Sequence, residues 1–127
     1  MATPHILILD DEERIRDLLT QYLEDFDEFT VRSAHSGEQA LELLALEPAE
    51  LAVVDMRLPG MSGTQFIREA SARGVCRHFL VHTGSVDMAI SSELKELGLT
   101  RRDFFFKPVG ADAILDRIRE CLSQGDA

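Results

Sequence analysis

The sequence predicts a doubly wound α/β fold, in which helices cover both faces of a parallel five-stranded sheet. Strand-like and helix-like patterns alternate five times along the 127 residues, an order typical of βα units. Three of the strand patterns are nearly continuous apolar runs, which is expected when both faces of the sheet are covered. A polar residue follows or ends most of these runs, so several polar side chains are expected at one edge of the sheet.

The predicted strands are short apolar segments, each followed by polar or turn-forming residues. The second alternates apolar and polar residues and is therefore expected to be less buried than the first, third and fourth. In chain order the five strands are His5–Leu9, Phe29–Ala34, Leu51–Val54, His78–His82 and Asp103–Phe106.

The second and third helices are predicted from their start and stop signals. Ser36-Gly-Glu-Gln39 and Ser62-Gly-Thr-Gln65 are capping boxes that begin these helices. Pro48 lies just past the end of the second helix, and Gly74 is expected to end the third.

The other three helices are predicted from apolar residues at helical spacing. They cover about Glu12–Glu24, Val86–Leu97 and Ala111–Leu122. Their expected inner faces carry Ile15, Leu18, Leu19, Tyr22 and Leu23 in the first, Ile90, Leu94 and Leu97 in the fourth, and Ile114, Leu115, Ile118 and Leu122 in the fifth. Gly98 is the expected stop of the fourth helix.

We therefore expect one domain over residues 1–127, with an ordered core over about 5–122 and a tail or the start of a linker at 123–127. Right-handed crossovers favour a flavodoxin-like strand order of 2-1-3-4-5. That order places the ends of the first and third strands side by side, so Asp10, Asp11 and Asp55 should converge.

Composition limits the partners and the compartment. The net charge of −10 argues against non-specific binding of nucleic acid or anionic membranes by this domain, since such surfaces are bound by Lys and Arg. Cys76 and Cys121 lack a metal-binding or redox motif and are expected to be free thiols. No signal-peptide pattern and no apolar run of ~18 residues is found, so a cytoplasmic location is expected.

Asp10 and Asp11 stand between the first strand and the first helix. One interpretation is a helix cap, because carboxylates stabilise a first turn and Glu12 and Glu13 continue the acidic run. The other is a site for a hard cation, because Mg²⁺ prefers carboxylate, water and phosphate oxygens. The pair alone does not decide between them.

Asp55 directly follows the apolar run of the third strand. It could cap the following loop, since Asp is common in turns. A carboxylate at the end of a buried strand could also act as a nucleophile toward phosphorus and form an aspartyl-phosphate.

Thr83 and Lys107 occupy matching positions at the ends of the fourth and fifth strands. Each alone is an ordinary residue for such a place. Together with a metal ion they could neutralise the oxygens of a phosphoryl group, which is the main catalytic need in phosphoryl transfer. Whether the Lys107–Pro108 peptide is cis stays open at this point.

The sequence resembles the receiver domain of two-component response regulators, a family that includes chemotaxis regulators. The resemblance is carried by four motifs in their order and spacing: Asp10-Asp11, Asp55-Met-Arg-Leu-Pro-Gly-Met-Ser-Gly63, Thr83-Gly84 and Lys107-Pro108. The resemblance covers essentially the whole chain. It implies a phosphoprotein that takes a phosphoryl group from a histidine kinase or histidine phosphotransfer protein, requires Mg²⁺ and controls a downstream effector domain or protein.

The resemblance also assigns roles to individual residues. It implies that Asp55 is the phosphoacceptor and that Asp11 and Asp55 bind Mg²⁺ through carboxylates. Arg57 would bind the ion through its backbone carbonyl, and Asp10 would act mostly through water.

Thr83 and Lys107 would contact the phosphoryl group. Thr83 would then move toward that group while Phe104 swings, which alters the surface made by the fourth helix, fifth strand and fifth helix. Such surfaces form dimers in many relatives, so a homodimer stays open.

Three features depart from the usual family pattern. Phe104 has no hydroxyl, so an inward rotamer needs no hydrogen-bond partner. The segment Gly98–Arg102 is about two residues longer than usual. Gly84 leaves the site open to water, and Arg57, near that water, is expected to influence dephosphorylation.

Two rival functions are kept beside the receiver interpretation. One is a receiver-like protein-binding module that works without phosphorylation, against which the intact set of acidic residues, Thr83 and Lys107 counts. The other is an aspartyl-phosphate phosphatase for small molecules. Such enzymes use an Asp-x-Asp pair after the first strand, whereas Asp10 and Asp11 are adjacent here.

Overall fold

A computed structural model describes residues 3–84 and 90–125 of the chain. The predicted alternation of strands and helices is present in these residues. The strands are β1 (His5–Leu9), β2 (Thr30–Ala34), β3 (Ala49–Val54), β4 (Cys76–Thr83) and β5 (Phe104–Phe106). The helices are α1 (Glu13–Glu24), α2 (Gly37–Leu46), α3 (Gly63–Arg73), α4 (Ser92–Glu96) and α5 (Ala111–Gly125), with a 3₁₀ turn at Arg101–Asp103.

The five strands form one parallel sheet in the order β2-β1-β3-β4-β5, which confirms the predicted topology. Leu9 of β1 lies beside Val54 of β3, and Thr83 of β4 lies beside Phe106 of β5. The carboxyl ends of β1 and β3 are therefore neighbours, as are those of β4 and β5.

Two hydrophobic cores lie on the two faces of the sheet, because alternate residues of each strand point to opposite faces. On one face Leu7, Val54 and Val81 pack with residues of α2, α3 and α4. On the other face Ile8 and Leu80 pack with residues of α1 and α5. The sheet is covered on both sides, as the apolar strands predicted.

The buried face of α1 is narrower than predicted. Leu19 and Leu23 are buried, but Leu18 is 61% exposed and does not belong to the inner face as expected. Leu18 precedes Leu19 by one position, which is about 100° around the helix axis. Helical spacing alone did not show on which side the apolar stripe ends.

The described part of the fourth helix is shorter than predicted. Ser91 is extended and its hydroxyl accepts a hydrogen bond from the Leu94 amide at 3.2 Å, so α4 begins at Ser92. A helix running continuously from Val86 through Ile90 and Ser91 is therefore wrong at those two residues, and residues 85–89 lie outside the described part. The inward position of Leu94 is confirmed by its complete burial.

The segment that joins α4 to β5 contains its own capped turn. Gly98 has a φ of +98°, a conformation that glycine adopts without strain, and ends the helical region as predicted. Thr100 and Asp103 then form a capping box around the 3₁₀ turn. Asp103 belongs to this turn and not to the fifth strand, which begins at Phe104.

The end of α5 also differs from the expectation. The helix continues to Gly125, three residues past the predicted end at Leu122, so residues 123–125 belong to the helix and not to the expected tail or linker. Among the described residues, no helix is long and apolar enough to cross a membrane.

Candidate functional site

Main-chain hydrogen bonds between neighbouring strands fix the positions of the predicted site residues. The Asp55 amide donates to the Leu9 carbonyl at 2.9 Å, which continues the pairing of β1 with β3. The Lys107 amide donates to the Thr83 carbonyl at 2.8 Å, which continues the pairing of β4 with β5. The Lys107–Pro108 peptide is cis.

The Lys107 ammonium lies among three carboxylates. Its Nζ is 3.0 Å from Asp10 Oδ2, 3.0 Å from Glu12 Oε1 and 3.5 Å from Asp55 Oδ2. The Lys107 side chain is only 13% exposed. The structure therefore brings Asp10, Asp55 and Lys107 together, as the sequence predicted, and adds Glu12 to them.

Asp10 has two roles at once. Its Oδ1 accepts a hydrogen bond from the Glu12 amide at 2.9 Å, which stabilises the chain where α1 begins. Its Oδ2 contacts Lys107. Asp10 therefore stabilises the backbone just before α1 with one oxygen and pairs with Lys107 through the other. Asp11 is exposed beside it.

Asp55 also makes one local contact and one contact within the site. Its Oδ1 accepts a hydrogen bond from the Arg57 amide at 3.2 Å, which orients the carboxylate and stabilises the loop. The other oxygen faces Lys107. The residue is only 4% exposed, and these two contacts orient its carboxylate.

Burial raises the pKa of Asp55 to about 6, and repulsion from Asp10 adds to this effect while Lys107 opposes it. Burial lowers the pKa of Lys107, but hydrogen bonds with Asp10 and Glu12 outweigh it and the pKa is raised. At neutral pH the site therefore holds an ionised Asp55 next to a charged lysine.

His82 is only 4% exposed and is close enough to Lys107 to feel its charge. Burial lowers the pKa of His82, and the nearby Lys107 lowers it further, so the ring is neutral at pH 7.

The acidic residues are arranged as a divalent cation would require. Asp10, Asp11, Glu12 and Asp55 each offer a carboxylate oxygen, and these oxygens lie within 4.8 Å of one another. Carboxylate oxygens are the ligands that Mg²⁺ and other hard cations prefer. The donor set therefore fits such an ion.

Thr83 and Phe104 share one face of the sheet, because Phe104 lies beside Val81 and residues two apart on a strand point to the same side. Thr83 is completely buried, whereas Phe104 is half-buried against the core that includes α4. A cavity of about 810 Å³ adjoins the ring and is lined also by Ile90, Leu99 and Phe106. Among the described residues, the Phe104 ring therefore lies at the edge of an open cavity and is not enclosed on that side.

Two contributors to the site were missed by the sequence prediction. Glu12, taken as the first helical residue, instead contacts Lys107. Gly63 packs against the loop after β3, where a Cβ would lie 2.7 Å from the Asp55 carbonyl oxygen. The glycine after the capping Ser62 was the available signal for this close approach.

Comparison with known proteins agrees with this geometry. Residues 6–119 match the family described as "Response regulator receiver domain". Sporulation initiation phosphotransferase F of Bacillus subtilis (strain 168) is 30% identical over 122 residues, which are 96% of this chain and 96% of that protein. The crystal structure of a response regulator receiver domain protein (CheY-like) from Methanospirillum hungatei JF-1 has a TM-score of 0.85 and 28% identity, with 98% of each chain covered.

Other relatives are longer proteins. Hydrogenase transcriptional regulatory protein HoxA of Cupriavidus necator is 30% identical over 126 residues, which are 95% of this chain and 25% of that protein. The chain likewise spans 49% of response regulator MprA of Mycobacterium ulcerans. The match to the family over nearly the whole chain, together with the acidic cluster at the strand ends, shows that this chain belongs to the response regulator receiver domain family of two-component systems.

Proposed function

We propose that Asp55 accepts a phosphoryl group from a histidine kinase or a histidine phosphotransfer protein. The observation that carries this proposal is the state of the Asp55 carboxylate. One of its oxygens is held by the Arg57 amide and the other faces Lys107 at 3.5 Å. A fixed carboxylate beside a lysine and further acidic groups is suited to attack phosphorus while the developing charge is neutralised.

In the transfer step, an Asp55 oxygen forms a bond to phosphorus while the bond from phosphorus to the leaving group breaks. The leaving group, a histidine nitrogen or the acetate of acetyl phosphate, keeps the electron pair. Hydrolysis later removes the phosphoryl group from Asp55. Water bonds to phosphorus, the Asp55 carboxylate leaves, and the proton goes to the released phosphate. This chemistry is self-catalysed and slow, so the chain acts as a signalling module and not as a conventional enzyme.

Asp11 and Asp55 would hold Mg²⁺ through their carboxylates, Arg57 through its carbonyl, and Asp10 through water. When bound, the ion neutralises charge on the phosphoryl oxygens. Lys107 would donate to one of these oxygens, and the Thr83 hydroxyl to another.

Thr83 and Phe104 would transmit the effect of phosphorylation to the surface of the domain. Both lie on the face that packs against α4, so movement of Thr83 toward the phosphoryl group would change the surface formed by α4, β5 and α5. We propose that this surface binds a downstream effector domain or protein and is also the site of any homodimer. The proposal includes a single domain over the chain, a cytoplasmic location and no direct binding of nucleic acid, in keeping with the net charge of −10.

The deciding experiment is the mass of the intact protein after incubation with acetyl phosphate. We expect one added phosphoryl group that requires both Mg²⁺ and Asp55. The matched control is Asp55→Asn, which keeps the shape of the side chain and removes the nucleophile. If the mass does not change and beryllium fluoride does not bind either, the chain is instead a phosphorylation-independent binding module.

Arg57 and Gly84 are proposed to set the lifetime of the phosphoryl group. Gly84 is exposed, and a Cβ there would meet no atom of the described residues within 4 Å, which leaves room for water. Arg57→Asn should change the rate of phosphate loss, measured by timing the decay of the phosphorylated mass. An unchanged rate would reject the role of Arg57.

A further inference from the structure

The contact between Glu12 and Lys107 gives a role to a residue outside the proposed phosphorylation chemistry. Among the described residues, the carboxylates within 4 Å of the Lys107 ammonium belong to Asp10, Glu12 and Asp55. Lys107 forms hydrogen bonds with Asp10 and Glu12, whereas Asp55, at 3.5 Å, contributes only charge. The ammonium is therefore drawn toward the β1 side of the site.

The Glu12 side chain is available for this contact. Glu12 is the N-cap residue of α1, but its side chain makes no capping hydrogen bond. Its amide instead donates to Asp10 Oδ1, which fixes the backbone from which the side chain reaches Lys107. The carboxylate is 59% exposed, so it covers the ammonium from the solvent side.

The two hydrogen-bonded partners of Lys107 differ in what their loss would cost. Asp10 is 2% exposed, and removing its counter-charge would leave a buried carboxylate unpaired. Loss of the Glu12 contact costs little free energy, because water replaces the lysine at an exposed carboxylate. When a phosphoryl group on Asp55 adds negative charge, Glu12 is the partner that Lys107 can give up.

We infer that Glu12 is a positioning residue that holds Lys107 in the unphosphorylated arrangement and releases it to the phosphoryl group. The inference rests on the proposed function of Asp55. Glu12 would therefore disfavour the phosphorylated state, since the ion pair between Glu12 and Lys107 exists only before transfer. A contact present in one of two states shifts the balance toward that state by its own free energy.

The test uses beryllium fluoride, which mimics a phosphoryl group, with the wild-type chain, Glu12→Gln and Glu13→Gln. Affinity is measured by titration calorimetry at saturating Mg²⁺, so that a weaker attraction for the ion does not enter the result. Glu13→Gln is the matched control, because it removes the same charge from the adjacent exposed residue of α1.

Glu12→Gln should bind beryllium fluoride about threefold more tightly than wild type, the effect of losing one exposed ion pair from the resting state. Glu13→Gln should match wild type. The difference between Glu12→Gln and wild type should shrink as salt is raised to about 1 M, because an exposed pair is screened. A loss of packing would not respond to salt in this way.

Equal affinities of the two variants and wild type would overturn the inference alone. A weaker affinity in Glu12→Gln would do the same, since it would mean that Glu12 supports the phosphorylated state. Failure of wild type to bind beryllium fluoride would overturn the proposed function, and the inference with it.

Discussion

Among single residues, Asp55 combines burial, a nearby like charge and a loop hydrogen bond, and these affect folding as well as chemistry. Its pKa of about 6 lies above the ordinary value of 3.8 because burial and Asp10 disfavour the charged form. The folded chain therefore binds the Asp55 proton more readily than the unfolded chain does. The contribution of Asp55 to stability falls as the pH rises from about 4 to about 6, and the full penalty persists above that.

Asp55→Asn should therefore stabilise the Mg²⁺-free protein by about 2–3 kcal/mol at pH 8. At pH 4 the gain should nearly vanish, because Asp55 is then protonated in the folded chain. Urea unfolding of wild type and variant at the two pH values gives the comparison, in which other titrating groups cancel. An equal gain in stability at both pH values would contradict the raised pKa of the Asp55 carboxyl group.

Gly63 gives a second prediction at this scale. A Cβ at this position would lie 2.5 Å from Met56 Sδ and 2.7 Å from the Asp55 carbonyl oxygen. Gly63→Ala should therefore destabilise the chain by about 1–3 kcal/mol, through forced movement of the loop that carries Asp55. The control is Gly84→Ala, where no atom of the described residues lies within 4 Å of an added Cβ, and the change should stay within about 0.5 kcal/mol. Equal free energies of unfolding in the two variants would refute the crowding at Gly63.

The sequence predicted these site residues unequally. Asp10, Asp55 and Lys107 could be predicted because each stands at the end of an apolar run, and the strand order brings those ends together. Glu12 could not, because an acidic residue in the first turn of a helix is ordinary. Its contact with Lys107 spans 95 positions of the chain and depends on how the α1 backbone turns after Asp10.

At the scale of elements, the segment between α4 and β5 is fastened at Asp103. One oxygen of Asp103 accepts from the Thr100 amide at 2.8 Å, and the other from Arg117 of α5 at 2.9 Å. Both side chains of the Asp103–Arg117 pair are largely buried, with 7% and 12% exposed. This pair joins the turn before β5 to α5.

Asp103→Asn should lower the free energy of unfolding by about 2 kcal/mol, because it removes the nearest counter-charge of the largely buried Arg117 and leaves, among the described residues, only Glu120, at 3.9 Å. The matched control is Glu93→Gln, which breaks the exposed Arg68–Glu93 pair, at 51% and 41% exposure. That variant should lose less than about 1 kcal/mol. Both are measured by chemical denaturation, and similar losses in the two variants would show that the Asp103 pair has no special role.

The elements themselves were predicted well where a pattern was long and less well at their ends. The Ser residues of the two predicted capping boxes correctly placed the starts of α2 and α3, because a Ser side chain that accepts from the third amide is a local signal. The complete capping box forms only at α3, since the Gln39 side chain of α2 accepts from the His35 amide and not from that of Ser36. The start of α4 was wrong because Ile90 fits the helical spacing while Ser91 caps the chain one residue later. The helical spacing of Ile90 and the capping preference of Ser91 favour different starts for α4, and spacing alone could not show which of them prevails.

For the molecule as a whole, the two cores decide what the cysteines can do. Cys76 belongs to the core on the α2–α4 face, and Cys121 to the core on the α1 and α5 face. The sheet therefore separates the two thiols. Burial raises the pKa of Cys76 to about 12 and also raises the pKa of Cys121, so little reactive thiolate is present at neutral pH.

Both thiols should react slowly with Ellman's reagent in the folded chain, at a rate at least tenfold below that in urea. No intramolecular disulfide should form under mild oxidation, as judged by mass. Rapid reaction of either thiol in the folded state would contradict its burial. A disulfide between Cys76 and Cys121 would contradict the separation of the two cores.

The global topology was the most predictable level. Five alternating units leave few ways to build a parallel sheet with right-handed crossovers, and the apolar strands required cover on both faces. The limits of α5 and the exposure of Leu18 were not predictable from the same pattern. They depend on how far each helix extends over the sheet, which is decided by packing between distant parts of the chain.

The sheet also separates two kinds of evolutionary change. Thr83 and Phe104 share the face that packs against α4, whereas His82 and Phe105 belong to the face covered by α1 and α5. Substitutions around Thr83 and Phe104 can therefore change how the site is coupled to α4, while the packing of α1 and α5 on the opposite face is kept. One phosphorylation chemistry can in this way be inherited unchanged by lineages whose outputs diverge.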